Sequence, residues 1–286
     1  MKAGFWVTPE GSDAAMTLLP LTCEDTTGVR RGTGIVSFLA TSSGEQLIAR
    51  CPRAAELLPQ LADALQSQSA EAPGRLFDIT DYKDDDRELL TQVLGDGEVN
   101  GVAALPDGVI AQIQESSMAG LWRVRFTDAG GGLSADYLEI GPIPEIVKRA
   151  ASLAAERLVF GAAPIGAMNV MPLLTEISSR MDAYRAGDPS HTINFSLLPV
   201  SEIDMDFLQQ ALGNGPVQLV SRGYGACKIT ATGARRVWSV QFFNAMDSII
   251  LDTLEIGDMP TAACAADEDF RDSAERLREI HEAYFT

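Results

Sequence analysis

Two nine-residue segments of this chain are nearly identical. "DYLEIGPIP" occupies residues 136–144 and "DTLEIGDMP" occupies residues 252–260, and six of the nine positions are the same. No low-complexity composition makes such a match easy to obtain. A repeated segment limits the fold, because each copy must fit the same type of supersecondary unit.

The segments immediately before the two phrases also match. "GLWRVRF" (120–126) corresponds to "RVWSVQF" (236–242), so that Trp122 aligns with Trp238. The offset between these tryptophans is 116 residues, which is also the offset between the two phrases. Phrase and tryptophan segment therefore belong to one duplicated block.

Further upstream the offset changes. "ELLTQVLGDGEV" (88–99) aligns with "DFLQQALGNGPV" (206–217) at an offset of 118 residues, so a two-residue gap separates the two blocks. We align "LFDIT" (76–80) with "NFSLL" (194–198) at the same offset of 118. The chain thus contains an internal duplication.

Each copy predicts the same series of elements. Helical apolar spacing, a short strand and a second helix ending at Gly95 or Gly213 come first. Four short strands with Gly and Asn breaks follow, and a helix closes the copy. The predicted bounds are helix 53–66, strands 98–104, 109–115, 121–127 and 134–140 and helix 143–158, then helix 171–186, strands 217–222, 226–231, 236–243 and 248–256 and helix 267–285.

The spacing of these strands leaves no room for crossover helices, so each set of four should form an antiparallel meander. We predict an α+β fold with two tandem homologous repeats, each an antiparallel sheet covered by helices. The predicted organisation is an N-terminal extension (1–50), a first repeat (51–160) and a second repeat (161–286). Alternation in the third strand predicts that Trp122 faces the core and Arg123 faces solvent.

Charge restricts the partners. The chain carries 40 acidic and 22 basic residues, a formal charge of −18, and so should repel phosphate backbones and anionic lipid. We expect no nucleic-acid or membrane partner; basic segments of proteins fit better, although acidity also simply keeps a protein in solution. No apolar run suits a signal peptide or a membrane span, and Arg30 and Arg31 lie too far into the chain for a twin-arginine signal, so we expect a cytoplasmic protein.

Neither a cofactor nor a catalytic group is predicted. The four cysteines (Cys23, Cys51, Cys227, Cys264) have no CxxC spacing, and we expect buried free thiols and no metal site. His191 and His281 lie beside no Ser, Cys or carboxylate arrangement typical of catalysis. "DYKDDDRE" (81–88) could suggest a Mg²⁺ or Ca²⁺ site, but its position favours acidic residues at a helix N-terminus.

Five carboxylates are candidates for partner binding. Glu139 and Glu255 are the duplicated glutamates of "LEIG", and the simpler interpretation is that they are exposed carboxylates at strand ends. Asp267, Glu268 and Asp269 open the last helix, which carries seven acidic residues against three arginines. This helix should attract a basic partner.

The order of blocks resembles the HupH/HyaF family of hydrogenase expression/formation proteins. The residues that carry the resemblance are "LLTQVLGDGEV", "WRVRF" and "DYLEIGPIP", followed by "FLQQALGNGPV", "VWSVQF" and "DTLEIGDMP". The resemblance implies a cytoplasmic accessory protein for maturation of an uptake nickel-iron hydrogenase. It also implies a chaperone, without enzymatic activity, that binds the iron-sulfur small-subunit precursor before export and meets other maturation factors.

Two other functions stay open at this point. An enzyme of metallocentre or cluster assembly would have a pocket with perturbed ionisable groups in only one repeat. A scaffold that links several maturation factors would have two similar binding faces, one on each repeat.

Overall fold

The structure is a computed structural model that describes residues 43–223 and 225–285. Most of the predicted N-terminal extension, with Cys23, Arg30 and Arg31, lies outside the described residues; its last part forms a helix. The α-helices of the described residues are α1 (Gly44–Arg50), α2 (Pro52–Gln66), α3 (Asp84–Leu94), α4 (Glu145–Ala151), α5 (Val170–Ala183), α6 (Glu202–Leu212) and α7 (Asp267–Phe285).

Ten strands within residues 43–223 and 225–285 are antiparallel neighbours in a single order. They are β1 (Arg75–Asp78), β2 (Val99–Ala104), β3 (Ile110–Glu115), β4 (Leu121–Thr127), β5 (Leu133–Ile140), β6 (His191–Asn194), β7 (Asn214–Ser221), β8 (Ala226–Thr232), β9 (Val237–Phe243) and β10 (Ile249–Ile256). The strand order is β1-β5-β4-β3-β2-β7-β8-β9-β10-β6. The α+β class is confirmed. The sequence predicted an antiparallel sheet in each repeat without deciding whether the two are continuous, and they are, because β2 and β7 pair from Val99↔Ser221 to Ala103↔Val217 instead of remaining open edges.

The chain forms two compact units that are interleaved along the sequence. One contains Val99–Ala111 and Glu145–Cys264; the other contains residues 43–98, Gln112–Pro144 and residues 265–285. Helix α7, which follows the second set of strands, packs along α2, and both lie in the unit that contains β1, β4 and β5. Helix α4, which follows the first set, packs against β7. The tandem order of the sequence did not indicate this exchange, and the division at residues 50 and 160 stays a prediction.

The helix ends follow from glycine. Gly95 (φ 60°) follows α3 and Gly213 (φ 66°) follows α6, and each N–H bonds to the carbonyl four residues earlier. Both predicted C-caps are confirmed. Glycine suits these positions because a side chain would make a positive φ unfavourable. The predicted closing helix 143–158 is shorter than expected and ends at Ala151.

The two tryptophans occupy equivalent positions in the sheet. Trp122 pairs with Glu139 across β4 and β5, and Trp238 pairs with Glu255 across β9 and β10. Their side chains are 0% and 4% exposed. The offset of 116 residues is therefore a structural equivalence.

The faces of β4 differ from the prediction. Leu121, Leu138 and Ile140 pack in one core cluster with residues of α1, α2, α3 and α7, so the helices cover the face opposite Trp122. Arg123 shares that helix-covered face, and the prediction that it faces solvent is wrong. Its guanidinium is tolerated there because Asp136 neutralises it.

One segment of the repeat alignment also needs correction. Strand β1 pairs Arg75 with Ile140, and β6 pairs His191 with Ile256. These equivalences give an offset of 116 residues, whereas we aligned the two segments at 118. The two-residue difference therefore lies between the short strand and the second helix of each series.

We predict that the two tryptophans respond differently to replacement by phenylalanine. Trp122 Nε1 donates to the buried carbonyl of Gly141 at 2.8 Å, whereas Trp238 Nε1 has no hydrogen-bond partner among the described residues. Trp122→Phe should lower the free energy of unfolding by about 1–2 kcal/mol more than Trp238→Phe. Urea denaturation of both variants measures this, and an equal loss would contradict the assigned hydrogen bond.

Candidate functional site

The aspartates that open the repeated phrase have structural roles. Asp136 is 1% exposed and forms a two-point ion pair with Arg123, with Nε–Oδ1 3.0 Å and Nη2–Oδ2 2.7 Å. In the second copy Ser239 stands at the position of Arg123, and Gln241 Nε2 donates to Asp252 Oδ2 at 3.4 Å. The two copies thus hold the same carboxylate with different partners.

The glutamates of the phrase are not exposed strand-end groups. Glu139 is 3% exposed, and a Cβ at Gly74 would lie 2.8 Å from its Oε1, so the absence of a side chain at Gly74 makes space for it. Glu255 is partly buried, and burial raises the pKa of its carboxyl group. The expectation of exposure is wrong for Glu139, and partner binding by either residue stays a prediction.

A second pair of aspartates fixes the helices, and sequence reasoning missed it. Asp86 and Asp204 lie in the first turns of α3 and α6 and are each 1% exposed. Asp86 Oδ1 accepts from Ala54 N at 2.9 Å, and Asp204 Oδ1 accepts from Val170 N at 3.1 Å. Each carboxylate therefore caps the start of the preceding helix. Their alignment at the offset of 118 was a signal that could have found them.

Asp204 has further donors around its carboxylate. Oδ1 also accepts from Met168 N (2.8 Å) and Asn169 N (2.9 Å), and Oδ2 accepts from the Ser201 hydroxyl at 2.7 Å. Burial alone would raise the pKa of Asp204, but these hydrogen bonds outweigh it and hold the pKa well below its usual range. The interpretation of "DYKDDDRE" as a helix start agrees with the helix α3 found there, and its Asp86 caps the preceding helix α2.

The three carboxylates predicted at the start of α7 differ in their contacts. Asp267 Oδ1 accepts from Ala70 N at 2.7 Å, and Asp269 Oδ2 accepts from Ala266 N at 2.6 Å. Glu268 is exposed. Asp267 and Asp269 thus stabilise local structure, and a partner-binding role for all three stays a prediction.

Five exposed acidic residues form a row along α7. Their positions advance by four, three, four and three residues, which keeps them on one face of a helix: Glu268, Asp272, Glu275, Glu279 and Glu282. We call this set the acidic row. At 1.5 Å per residue it extends for about 21 Å. The four- and three-residue spacing is visible in the sequence and could have identified the row, whereas the predicted binding residues were Asp267, Glu268 and Asp269 in the first turn.

The opposite side of α7 is apolar. Phe270, Ala274 and Leu277 are fully buried in the core cluster that also contains α2. Two arginines of the helix bond within the protein, since Arg276 donates to Ser117 O at 3.1 Å and Arg278 donates to Gln66 Oε1 at 2.8 Å. These contacts direct two of the three arginines toward neighbouring elements; Arg271 is exposed beside the five carboxylates, and the exposed face is predominantly acidic.

The described cysteines are free thiols. Cys51 and Cys227 are buried and Cys264 is partly buried. Burial raises the pKa of all three, to about 11 for Cys227 and Cys264, and the charge of Glu255 adds to the effect at Cys227. Such thiols stay protonated near neutral pH, and the thiolate is the form that attacks or binds a metal. In residues 43–223 and 225–285, no group of three His, Cys, Asp or Glu side chains could hold a metal ion.

Neither described histidine lies in a catalytic arrangement, and neither does the groove beside α5. His191 Nε2 lies 2.7 Å from Glu176 Oε1 at the surface, and His281 stacks on Phe285. An open groove is lined by Phe160, Thr175, Ser178, Ser179, Asp182 and Ala183.

Over the described part of the chain, no helix combines the length and apolarity needed to cross a membrane.

The geometry defines a class of protein first: an α+β protein with two similar series of elements and a charged helix face. The model of the HupH hydrogenase expression protein C-terminal conserved region matches residues 52–156 and 167–284, which coincide with the series from α2 to α4 and from α5 to α7. The chain belongs to this family, and the resemblance seen in the sequence is confirmed.

Curated relatives agree over most of their lengths. The chain is 63% identical over 285 residues to the hydrogenase expression/formation protein HupH of Rhizobium leguminosarum bv. viciae, with 100% of both chains covered. It is 40% identical over 235 residues to the hydrogenase expression/formation protein HoxQ of Cupriavidus necator, with 82% of each chain covered. It is 33% identical over 278 residues to the hydrogenase-1 operon protein HyaF of Escherichia coli, with 95% of this chain and 92% of that chain covered.

We predict that Asp204→Asn destabilises the protein in a pH-dependent way. The low pKa of Asp204 in the folded state contributes stability above the unfolded value of about 3.9, and this contribution is lost as the pH falls toward the folded pKa. The variant should lose about 2–4 kcal/mol at pH 7, and less as the pH falls from about 4 to 2. Urea denaturation across this range tests it, with the exposed Asp206→Asn as control. A constant loss at every pH would contradict the assigned role.

We also predict that the thiols Cys227 and Cys264 react slowly. With pKa values of about 11, only about one thiol in three thousand is ionised at each site at pH 7.5. In a Cys23→Ser variant, iodoacetamide should label both sites much faster in concentrated urea than in native buffer, as read by mass spectrometry. Rapid native labelling of either site would show that its thiol is not protected by burial.

Proposed function

We propose that this protein is an accessory protein for maturation of an uptake nickel-iron hydrogenase. It acts in the cytoplasm, without enzymatic activity, as a chaperone that binds the iron-sulfur small-subunit precursor before export. Membership of the HupH family and the hydrogenase expression/formation names of its relatives support the maturation role. The proposal also names the small-subunit precursor as the protein that is bound.

The acidic row on α7 is the structural observation that carries the binding proposal. Five carboxylates repeat along one exposed helix face, in a chain with a net charge of −18. A precursor with basic residues near its N-terminus has the complementary charge. Such complementarity raises the association rate by steering the approach of the partner.

Charge alone does not supply the affinity of a chaperone. Exposed ion pairs contribute about 0–1 kcal/mol each, and at physiological salt their effect extends only about 8 Å. An apolar contact therefore has to accompany the acidic row. Burial of apolar surface contributes about 25 cal/mol per Å², and part of this gain offsets the free-energy cost of association.

We predict that the full-length protein retains the small-subunit precursor in a pull-down and retains the mature, assembled enzyme weakly or not at all. A row variant with Glu268→Gln, Asp272→Asn, Glu275→Gln and Glu279→Gln should associate with the precursor several-fold more slowly at low salt. The two proteins should converge as salt shortens the Debye length from about 10 to 3 Å. Biolayer interferometry gives the association and dissociation rates.

A matched control removes the same charge elsewhere in the same unit. Glu45, Glu56, Glu71 and Glu98 are exposed but do not form a row, and their glutamine variant should keep most of the association rate. Failure of the unmodified protein to retain the precursor would reject the binding proposal. Equal rates for the row variant and the control would reject only the assignment of α7.

A further inference from the structure

Hydroxyl groups align the two series before their two-residue difference. Thr80 Oγ1 accepts from Asp136 N at 2.9 Å, and Ser196 Oγ accepts from Asp252 N at 3.4 Å. Donors and acceptors are both offset by 116 residues. Thr80 and Ser196 are therefore equivalent positions.

Carbonyl groups align the two series after that difference. Arg53 Nη1 donates to Asp81 O at 3.2 Å, and Asn169 Nδ2 donates to Pro199 O at 2.6 Å. The donors keep the offset of 116 residues, but the acceptors are offset by 118. The two residues inserted in the second series consequently lie between Ser196 and Pro199.

The inserted residues are Leu197 and Leu198, and they are 80% and 38% exposed. An insertion that served only to lengthen a surface turn would more typically carry polar or turn-forming residues. Two leucines in such a turn therefore point to a contact outside the described chain.

Other exposed apolar side chains lie in segments that contact the turn of the two leucines, as Asn169 of the loop before α5 donates to Pro199 O. Ile203 Cδ1 would lie 3.0 Å from a Cβ at Gly166, which places α6 against the loop before α5. The turn Phe195–Leu197 contacts β10, which carries Ile250. We call the following set, with exposures from 38% to 102%, the apolar surface: Ile165, Met168, Leu197, Leu198, Ile203 and Ile250.

A partly buried layer supports this surface. Its apolar side chains pack on the core of the same unit and include Ala167, Met171, Val200 and Phe207. The surface thus continues a hydrophobic core outward.

The equivalent place in the first series is charged. Arg50 pairs with Asp85 at 2.8 Å, at the positions equivalent to Gly166 and Ile203. Arg53 pairs with Asp81 at 3.1 Å. Because the same backbone arrangement is stable with ion pairs, the fold does not require apolar residues here.

The charged residues in the two segments that carry five of these six side chains are all acidic. Residues 159–169 contain no charged side chain, and residues 194–206 contain Glu202, Asp204 and Asp206 but no Lys or Arg. Asp204 is buried as a helix cap, whereas Glu202 and Asp206 are exposed on either side of Ile203. A matching ligand therefore has apolar side chains with basic residues beside them.

We propose that the apolar surface binds an unfolded segment of the client protein in which apolar side chains are flanked by lysine or arginine. This inference rests on the proposed chaperone function and names its binding surface and the chemistry of the bound segment. A second copy of this chain fits less well, because a two-fold contact would bring the same acidic side chains to both sides of the interface.

The test uses the full chain and a labelled peptide of two arginines followed by eight leucine and alanine residues. A surface variant combines Ile165→Ser, Met168→Ser and Leu197→Ser, all at positions at least 79% exposed. A control variant combines Leu76→Ser, Leu133→Ser and Leu153→Ser, at other exposed leucines. The dissociation constant of the peptide, measured by fluorescence anisotropy, should rise about tenfold or more for the surface variant and change little for the control. Thermal unfolding of both variants should be unchanged.

A second peptide carries two glutamates in place of the arginines, and it should bind several-fold more weakly at low salt. Undiminished peptide binding by the surface variant, or equal binding of the two peptides, would overturn the inference. A dimer in sedimentation that dissociates in the surface variant would also overturn it, since the surface would then join copies of this chain.

The small-subunit precursor separates this inference from the proposed function. Equal retention of the precursor by the surface variant and the unmodified protein would reject the surface and leave the chaperone function standing. Peptide binding at the surface without any retention of the precursor would reject the chaperone function and support the surface.

Discussion

A buried carboxylate at the start of the second helix fixes the preceding helix in each series, and the local architecture depends on it. Asp86 holds α2 and Asp204 holds α5 through backbone N–H groups that would otherwise lack partners at a helix start. A buried charge is tolerated only where donors surround it, and four backbone N–H groups and a hydroxyl do so at Asp204. The loop before α5 and the turn before α6 are held together as a consequence.

The sequence predicted those features that depend on local chemistry repeated at a fixed spacing. Gly95 and Gly213 identified helix ends because the positive φ needed there depends on the residue itself, and glycine adopts it readily. Trp122 and Trp238 marked equivalent strand positions because both lie in the same alternating pattern. Features that depend on distant neighbours were not predictable in this way. The burial of Glu139 depends on Gly74, and the docking of α7 on α2 joins elements about 200 residues apart.

The misaligned short strand shows why one offset was wrong. Strands β1 and β6 have four residues each, and the apolar residues of such a short segment fit two registers almost equally well. Hydrogen bonds of Thr80 and Ser196 distinguish the registers, but the sequence does not show them. The gap therefore lies at Leu197 and Leu198, and the two series differ in chemistry at the same place.

Duplication followed by divergence explains how one scaffold presents different surfaces. The capping aspartates and the tryptophan strands are common to both series, so neither distinguishes a partner. The ion pairs of Arg50 and Arg53 in one series and the exposed leucines in the other lie at matched positions, so these surfaces could change while the caps stayed. Long-range charge acts mainly on the association rate, whereas buried apolar contact acts mainly on the dissociation rate. Under the proposed chaperone function, the acidic row would speed capture of a basic client, and the apolar surface would release the client once folding buries its own apolar segment.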